Sequence, residues 1–104
     1  MEKRKSTYDL VAFKDAFNDV AKLNVTAVAV VSAARAGFGR ADIVGTIQTM
    51  QREHFYKSMT SHADHRVWQD VYHVPSRAGI LYIKFTADAV TEFNLLSFKE
   101  KNDE

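Results

Sequence analysis

Residues 67–86 read VWQDVYHVPSRAGILYIKFT, and this stretch decides the fold of the chain. From Ile80 to Thr86, the apolar residues Leu81, Ile83 and Phe85 alternate with Tyr82, Lys84 and Thr86. The segment from Val67 to His73 also alternates, and a period of two residues is that of a β-strand. Between them, Pro75-Ser76-Arg77-Ala78-Gly79 contains the residue types that favour a tight turn. The stretch therefore predicts two antiparallel strands joined by a turn.

Two further strands are predicted beside this hairpin. His54 to Ser61 alternates in the same way, and Glu92 to Lys99 does so after a turn at Asp88-Ala89. All four segments are joined by short connections, which suit antiparallel but not parallel strands. The second half of the chain therefore predicts an antiparallel sheet of four strands or slightly more.

The first half of the chain has the period of helices instead. From Leu10 to Val20 apolar residues recur every three or four positions, which predicts a helix of about four turns capped by Ser6 or Thr7. Residues 27–36, rich in Ala and Val, predict a second helix that is expected to be the most buried. Thr26 is expected to cap that helix, and Gly37 to end it.

A third, shorter helix is predicted from Ile43 to Met50, with Asp42 in its first turn. Helices at about 7–50 followed by strands at about 54–99 are typical of an α+β domain, in which the three helices pack on one face of the sheet. A chain of 104 residues is expected to form one such domain.

Composition and charge exclude several classes of protein. The chain has no cysteine, so it has no disulfide framework, no thiolate nucleophile and no sulfur-ligated zinc. A net charge of +1 is too weak for binding a long duplex through many phosphates, although a short single strand remains possible. No membrane span or signal peptide is predicted, so we expect a cytoplasmic protein whose charged start, Met1–Lys5, is frayed.

Strand parity assigns side chains to the two faces of the predicted sheet. The residues expected in the core are Leu81, Ile83, Phe85, Leu96, Phe98, Trp68 and Tyr72. The opposite, open face is then expected to collect Gln69, Tyr82, Lys84, Ser97 and Lys99. The face on which Lys57 lies is ambiguous, because placing it on the open face would also place the apolar residues Phe55 and Met59 there. This face could bind an anion, although any half-solvated sheet also shows lysines.

Histidines suggest two other kinds of site. His62 and His65 with Asp64 between them could hold a metal ion, but a third ligand at fixed spacing is lacking, so no metal site is predicted. His65 could transfer protons, because imidazole titrates near neutral pH, or it could simply anchor the turn.

Three other side chains could contact a nucleic acid. Arg77 could meet a phosphate from its turn, or stay solvated. Tyr56 and Trp68 could stack on bases, although parity favours the core for Trp68.

Several motifs together resemble one family. The runs Phe55–Thr60, Asp64-His65 and Trp68–Tyr72, followed in the same order by Leu81–Lys84 and Ser97–Lys101, are similar to the motility quorum-sensing regulator (MqsR) toxins. These are bacterial mRNA interferases of type II toxin–antitoxin pairs. The helical half resembles the family in pattern more than in residues.

The resemblance implies a RelE-like fold and metal-independent, sequence-selective cleavage of single-stranded mRNA, without a cofactor, that arrests growth. The catalytic residues it implies fall on Lys57, Gln69, Tyr82 and Lys99. Substrate-binding residues are expected at His65, Arg77, Lys84 and Met59. We expect Tyr82 to transfer the proton, with His65 as the rival.

The resemblance also implies a partner, a cognate antitoxin that binds zinc and DNA. It leaves open the oligomeric state and the alternative of a non-catalytic RNA- or protein-binding regulatory module of the same fold. The chain departs from the family in its loops: residues 73–77 are less basic, the hairpin from Thr86 to Phe93 is longer, and residues 102–104 add an acidic end. These departures bear on base preference and substrate affinity.

Overall fold

The computed structural model describes residues 1–88 and 92–103. In chain order its elements are strand β1 (Glu2–Lys3), helices α1 (Leu10–Ala16), α2 (Ala27–Arg35) and α3 (Arg40–Gln48), and strands β2 (Phe55–Thr60), β3 (Trp68–Ser76), β4 (Gly79–Ala87) and β5 (Phe93–Glu100). Short 3-10 turns lie at Val20–Lys22, Arg52–His54 and Lys101–Asp103. The predicted α+β class is confirmed. The predicted turn at Asp88-Ala89 and the longer hairpin include residues 89–91, which lie outside the described residues, as does residue 104.

The five strands follow one another across a single antiparallel sheet, in the order β1-β2-β3-β4-β5. The expectation of a frayed start is wrong, because Glu2 and Lys3 pair with Met59 and Ser58 of β2. The Lys3 ammonium also lies 4.2 Å from the centre of the Trp68 ring. The β1 strand therefore covers part of the edge of β2.

A β-bulge in β5 changes the predicted alternation. Lys84 pairs with Ser97 but Phe85 pairs with Leu95, so Leu96 is an extra residue in the ladder. Leu95 is fully buried, while Leu96 is only partly buried and lies outside the core cluster. The prediction that Leu96 faces the core is therefore wrong.

The first helix begins later and ends sooner than predicted. Its N-cap is Asp9, whose carboxylate accepts the Val11 N–H at 2.9 Å, and not Ser6 or Thr7. Helix α1 has seven residues, or about two turns, because Asp19 caps a separate 3-10 turn in which Val20 is 41% exposed. The predicted four-turn helix is thus two short elements.

Helix α2 is capped by Thr26, as predicted, and Gly37 after it has a φ of 88°. It is not the most buried helix, since Val28 and Val31 are 71% and 49% exposed. Its contact with the core is made by Ala29 and Ala33, which let the helix approach β5 closely. Helix α3 carries Asp42 in its first turn, as predicted.

The hydrophobic core lies between the helices and one face of the sheet. Phe13 of α1 stacks on Phe85 of β4 with 3.7 Å between ring centres. Tyr72 is buried there as predicted, while Trp68 is only partly buried. Among the described residues, no helix is long and apolar enough to cross a membrane. The described helices pack on the core side of the sheet, and the opposite face of the sheet is called the open face below.

Candidate functional site

Strand register orders the side chains of the open face into rows. In one row, Tyr82 of β4 lies between His73 of β3 and Lys99 of β5. In the neighbouring row, Lys84 lies between Val71 and Ser97, and Val71 in turn pairs with Lys57 of β2. A third row contains Glu2, Met59 and Gln69. The four candidate catalytic residues therefore share one face, as parity predicts for three of them.

A second β-bulge, at Tyr56, resolves the ambiguity of Lys57. Phe55 pairs with Tyr72 and Lys57 pairs with Val71, so Tyr56 is the extra residue. Tyr56 stacks on His73, with 4.2 Å between ring centres, and the Lys57 ammonium lies 5.3 Å from the Tyr56 ring. Lys57 therefore joins the open face with Met59, whereas Phe55 stays on the core side.

Tyr82 is enclosed rather than solvated. Its ring is 5.4 Å from the Lys99 ammonium and 6.0 Å from the His73 ring centre, and only 8% of the residue is exposed. Lys84 beside it is partly buried, and this burial, together with the charge of Lys99, lowers the pKa of Lys84. The open face is thus a packed cluster of cations around a tyrosine.

Lys57 is held by an acidic partner from the N-terminal strand. Its ammonium donates to the Glu2 carboxylate at 2.5 Å. The hydrogen bond to Glu2 raises the pKa of Lys57 against the effect of partial burial, and the same hydrogen bond lowers the pKa of Glu2. Lys57 therefore stays a cation at neutral pH. Sequence reasoning missed Glu2 because it treated the charged start as frayed.

His65 and Met59 border the same small cavity at the β1 edge of the sheet. The cavity has a volume of about 210 Å³ and is also lined by Glu2 and His62. His65 itself is exposed in the loop between β2 and β3. The structure thus brings His65 near the row of Glu2, Met59 and Gln69, and not to the row of Tyr82.

Arg77 lies on the other side of the sheet. Its guanidinium donates to the Gly37 carbonyl at 2.6 Å, stands 4.2 Å from the Phe38 ring and faces Asp42 at 3.8 Å. These contacts tie the β3–β4 turn to the helical layer, because Phe38 belongs to the core.

No metal-binding cluster of three or more His, Cys, Asp or Glu side chains occurs in residues 1–88 and 92–103. The Asp64 carboxylate, between His62 and His65, is bound by the backbone and guanidinium of Arg66. These contacts lower the pKa of Asp64.

His73 is a second residue of the open face, after Glu2, that sequence reasoning missed. It contacts Tyr56 on one side and Tyr82 on the other, at the centre of the open face. The sequence contains a signal for His73, because Gln69 and His73 have the same parity in one strand and must face the same side of the sheet.

Comparison with known proteins identifies a family and a relative that this chain is similar to. The family described as motility quorum-sensing regulator, toxin of MqsA, matches residues 5–100. The chain is 34% identical over 101 residues to the mRNA interferase toxin MqsR of Escherichia coli (strain K12). The aligned residues cover 97% of this chain and all of the relative. All four catalytic candidates and the Tyr56 bulge lie within both matches.

Proposed function

Since this chain belongs to the motility quorum-sensing regulator toxin family, we propose that it is an mRNA interferase. It acts as the toxin of a type II toxin–antitoxin system, cleaving single-stranded mRNA in the cytoplasm without a metal ion and so arresting growth. The observation that supports this best is the pairing of Tyr82 with Lys99 in one ladder row, with Lys57 and Lys84 in the next.

The reaction this arrangement suits is an internal phosphoryl transfer. The ribose 2′ oxygen bonds to phosphorus as it loses its proton, and the bond from phosphorus to the 5′ oxygen breaks as that oxygen gains one. The products are a 2′,3′-cyclic phosphate and a 5′ hydroxyl, so no water and no redox partner is consumed. The protein must supply proton transfer and positive charge at the phosphate.

In this proposal the four catalytic candidates supply proton transfer, positive charge and orientation of the substrate. Tyr82 moves the proton, and the nearby Lys99 ammonium, 5.4 Å from its ring, favours the phenolate form during the transfer. Lys57 and Lys99 stabilise the pentacovalent phosphorane, because both are cations on the same face. Gln69 orients the phosphate or holds a base edge.

Substrate binding is proposed along the rows beside Tyr82. Lys84, partly buried, provides a further cation for the backbone, and Met59 and His65 border the cavity that a flanking base could fill. Tyr56 offers its 38% exposed side chain as a surface on which a base can stack. Arg77 is left out of the site, because its guanidinium is bound to Gly37 and Phe38.

The partner in this proposal is a cognate antitoxin that binds zinc and DNA, as the sequence analysis expects. The non-catalytic regulatory module is the other candidate function, and it has no observation in its favour. A binding module needs cations on the open face, but it does not need a tyrosine enclosed by them.

The test is RNA cleavage in the presence of EDTA. Purified wild-type protein is expected to cut a single-stranded mRNA with the chelator present, and Lys57→Ala to leave it intact. Lys22→Ala, at an exposed lysine of the helical half, is the matched control and should cleave like the wild type. Intact RNA with the folded wild-type protein would overturn the proposal.

A further inference from the structure

A second cleft lies on the core side of the sheet, next to the edge of β2, so that this edge separates it from the open face. It has a volume of about 450 Å³, and its polar and aromatic lining includes Arg4, Ser6, Asp9, Arg52, Phe55 and Tyr72. We call it the arginine cleft. Its volume is within the range of about 300–1,000 Å³ that is usual for small-ligand sites.

The Tyr72 hydroxyl is the most unusual polar group in the arginine cleft. Only 2% of Tyr72 is exposed, yet no hydrogen-bond partner for this hydroxyl occurs in the part of the chain that the structure describes. Burial, followed by the charge of Asp70, raises the pKa of Tyr72 to about 12, so the hydroxyl remains a donor at neutral pH. Tyr72 lines the cleft together with Arg52 and Asp9, and the charges of both also act on its hydroxyl.

Arg52 supplies a cation beside that donor. It is exposed, and the ion pairs found among residues 1–88 and 92–103 do not include it. Asp9 contributes one negative charge, but its carboxylate accepts the Val11 N–H as the cap of α1. With Arg4 included, the lining carries two positive charges and one negative charge, which favours an anion.

Arg4 connects the arginine cleft to the open face. Its guanidinium donates to the Tyr56 carbonyl at 3.4 Å and stands 5.8 Å from the Tyr56 ring. Strand β1 pairs with β2 at Ser58 and Met59, and the Thr60 N–H donates to the Met1 carbonyl at 2.9 Å. Towards Phe55 and Tyr56, the same edge lacks a partner strand among the described residues. An RNA strand that lies on the open face can therefore pass over this edge of the sheet without crossing β1.

We propose that the arginine cleft binds one nucleotide of the RNA strand beyond the cleaved step, with its phosphate held by Arg52 and the Tyr72 hydroxyl. The Phe55 ring, beside Tyr72 at 5.5 Å between ring centres, forms the wall for the ribose or base. A neutral hydroxyl and a guanidinium that line the same cleft suit a phosphate diester, because both groups donate hydrogen bonds and neither needs to lose a proton. The inference rests on the proposed function, since it extends the same RNA path.

The test compares the affinities of a short RNA of about 4 nucleotides and a long RNA of about 12, both 2′-O-methylated so that they cannot be cleaved. The wild type is expected to bind the long RNA about tenfold more tightly than the short RNA. In Arg52→Ala and in Tyr72→Phe, this ratio of the two affinities should fall most of the way to one. The salt slope for the long RNA should fall by about 0.7 with Arg52→Ala but not with Tyr72→Phe, because only the first removes a charge. Asp9→Asn keeps a capping side chain and should tighten long-RNA binding about twofold.

Arg35→Ala, at an exposed arginine of α2, is the matched control and should keep the wild-type ratio. A ratio that is unchanged in both Arg52→Ala and Tyr72→Phe would overturn the inference, as would equal binding of both lengths by the wild type. Cleavage of unmodified short RNA by the wild type tests the proposed function separately. If that cleavage fails, the ratio measured with uncleavable RNA still decides whether the cleft binds a nucleotide.

Discussion

The two faces of strand β4 differ in what encloses them. On the core face Leu81, Ile83 and Phe85 are fully buried by the helices. On the open face Tyr82 is nearly as buried, at 8% exposure, although none of the described helices packs on that face. Neighbouring side chains on the same face enclose it instead. This enclosure of a tyrosine by its own face, with the Lys99 ammonium 5.4 Å from the ring, supports the proposal of a site on the open face.

The largest effect on stability is expected from the core face. Phe85→Ala should lower the free energy of unfolding by about 3–5 kcal/mol, because the Phe85 ring packs on Phe13 and Tyr72 and its loss leaves a cavity. Urea denaturation followed by circular dichroism measures this. Ile80→Ala, on the same strand and 43% exposed, is the control and should cost far less. Equal losses at both positions would remove the distinction between the faces.

The open face should respond to substitution in activity and not in stability. Lys99→Ala is expected to lower the cleavage rate by about 10²-fold, because it removes one positive group from the phosphorane. Induced expression in a bacterial host should then no longer arrest growth, whereas Lys22→Ala remains toxic. If the Lys99→Ala protein is equally active and equally stable, the cations of this face have no catalytic role.

Asp70 is a buried carboxylate on the core face, next to Gln69 in sequence. It accepts the backbone N–H groups of Thr7 and Tyr8 at 2.9–3.1 Å and so fixes the segment that leads from β1. Asp70→Ala should cost about 2–3 kcal/mol, since it leaves these donors without an acceptor. Asp15→Ala, at an exposed position of α1, is the control. A loss below that of the control, measured by urea denaturation, would contradict the structure.

The smallest effect concerns the ion pair of Glu2 and Lys57. The pKa of Glu2 is lowered in the folded protein, so its contribution to stability is present above the ordinary value of 4.5 and is lost as the pH falls through the folded-state pKa. Glu2→Gln should therefore be slightly less stable than the wild type at pH near 7 and equal to it in acid. Glu53→Gln, at an exposed position outside the ion pairs found among the described residues, is the control for the substitution itself. A wild-type advantage that persists in acid would contradict the pairing.

Strand parity predicted the composition of the open face because alternation is a property of the chain itself. Gln69, Tyr82 and Lys99 were assigned from this pattern without knowledge of any partner. The bulges at Tyr56 and Leu96 were missed, because an extra residue is visible only when two strands are placed in register. This is why Leu96 was assigned to the wrong face and Lys57 could not be assigned.

The helical half was predicted less well, for a related reason. Ser6 and Thr7 are good N-cap residues, but Thr7 is used instead to bind Asp70, 63 positions away. The two-residue strand β1 is too short to show a period, so the role of Glu2 was invisible. Thr26 and Gly37 were placed correctly because their effects are local.

The central claim is that the open face carries out the chemistry through Tyr82. Single-turnover cleavage of a short RNA in EDTA, with circular dichroism to confirm folding, tests it most directly. Tyr82→Phe keeps the ring and is expected to lower the rate by about 10²–10⁴-fold, while His65→Ala keeps most of the wild-type rate. Normal cleavage by Tyr82→Phe, together with loss of cleavage in His65→Ala, would contradict the account and reduce the open face to a binding surface.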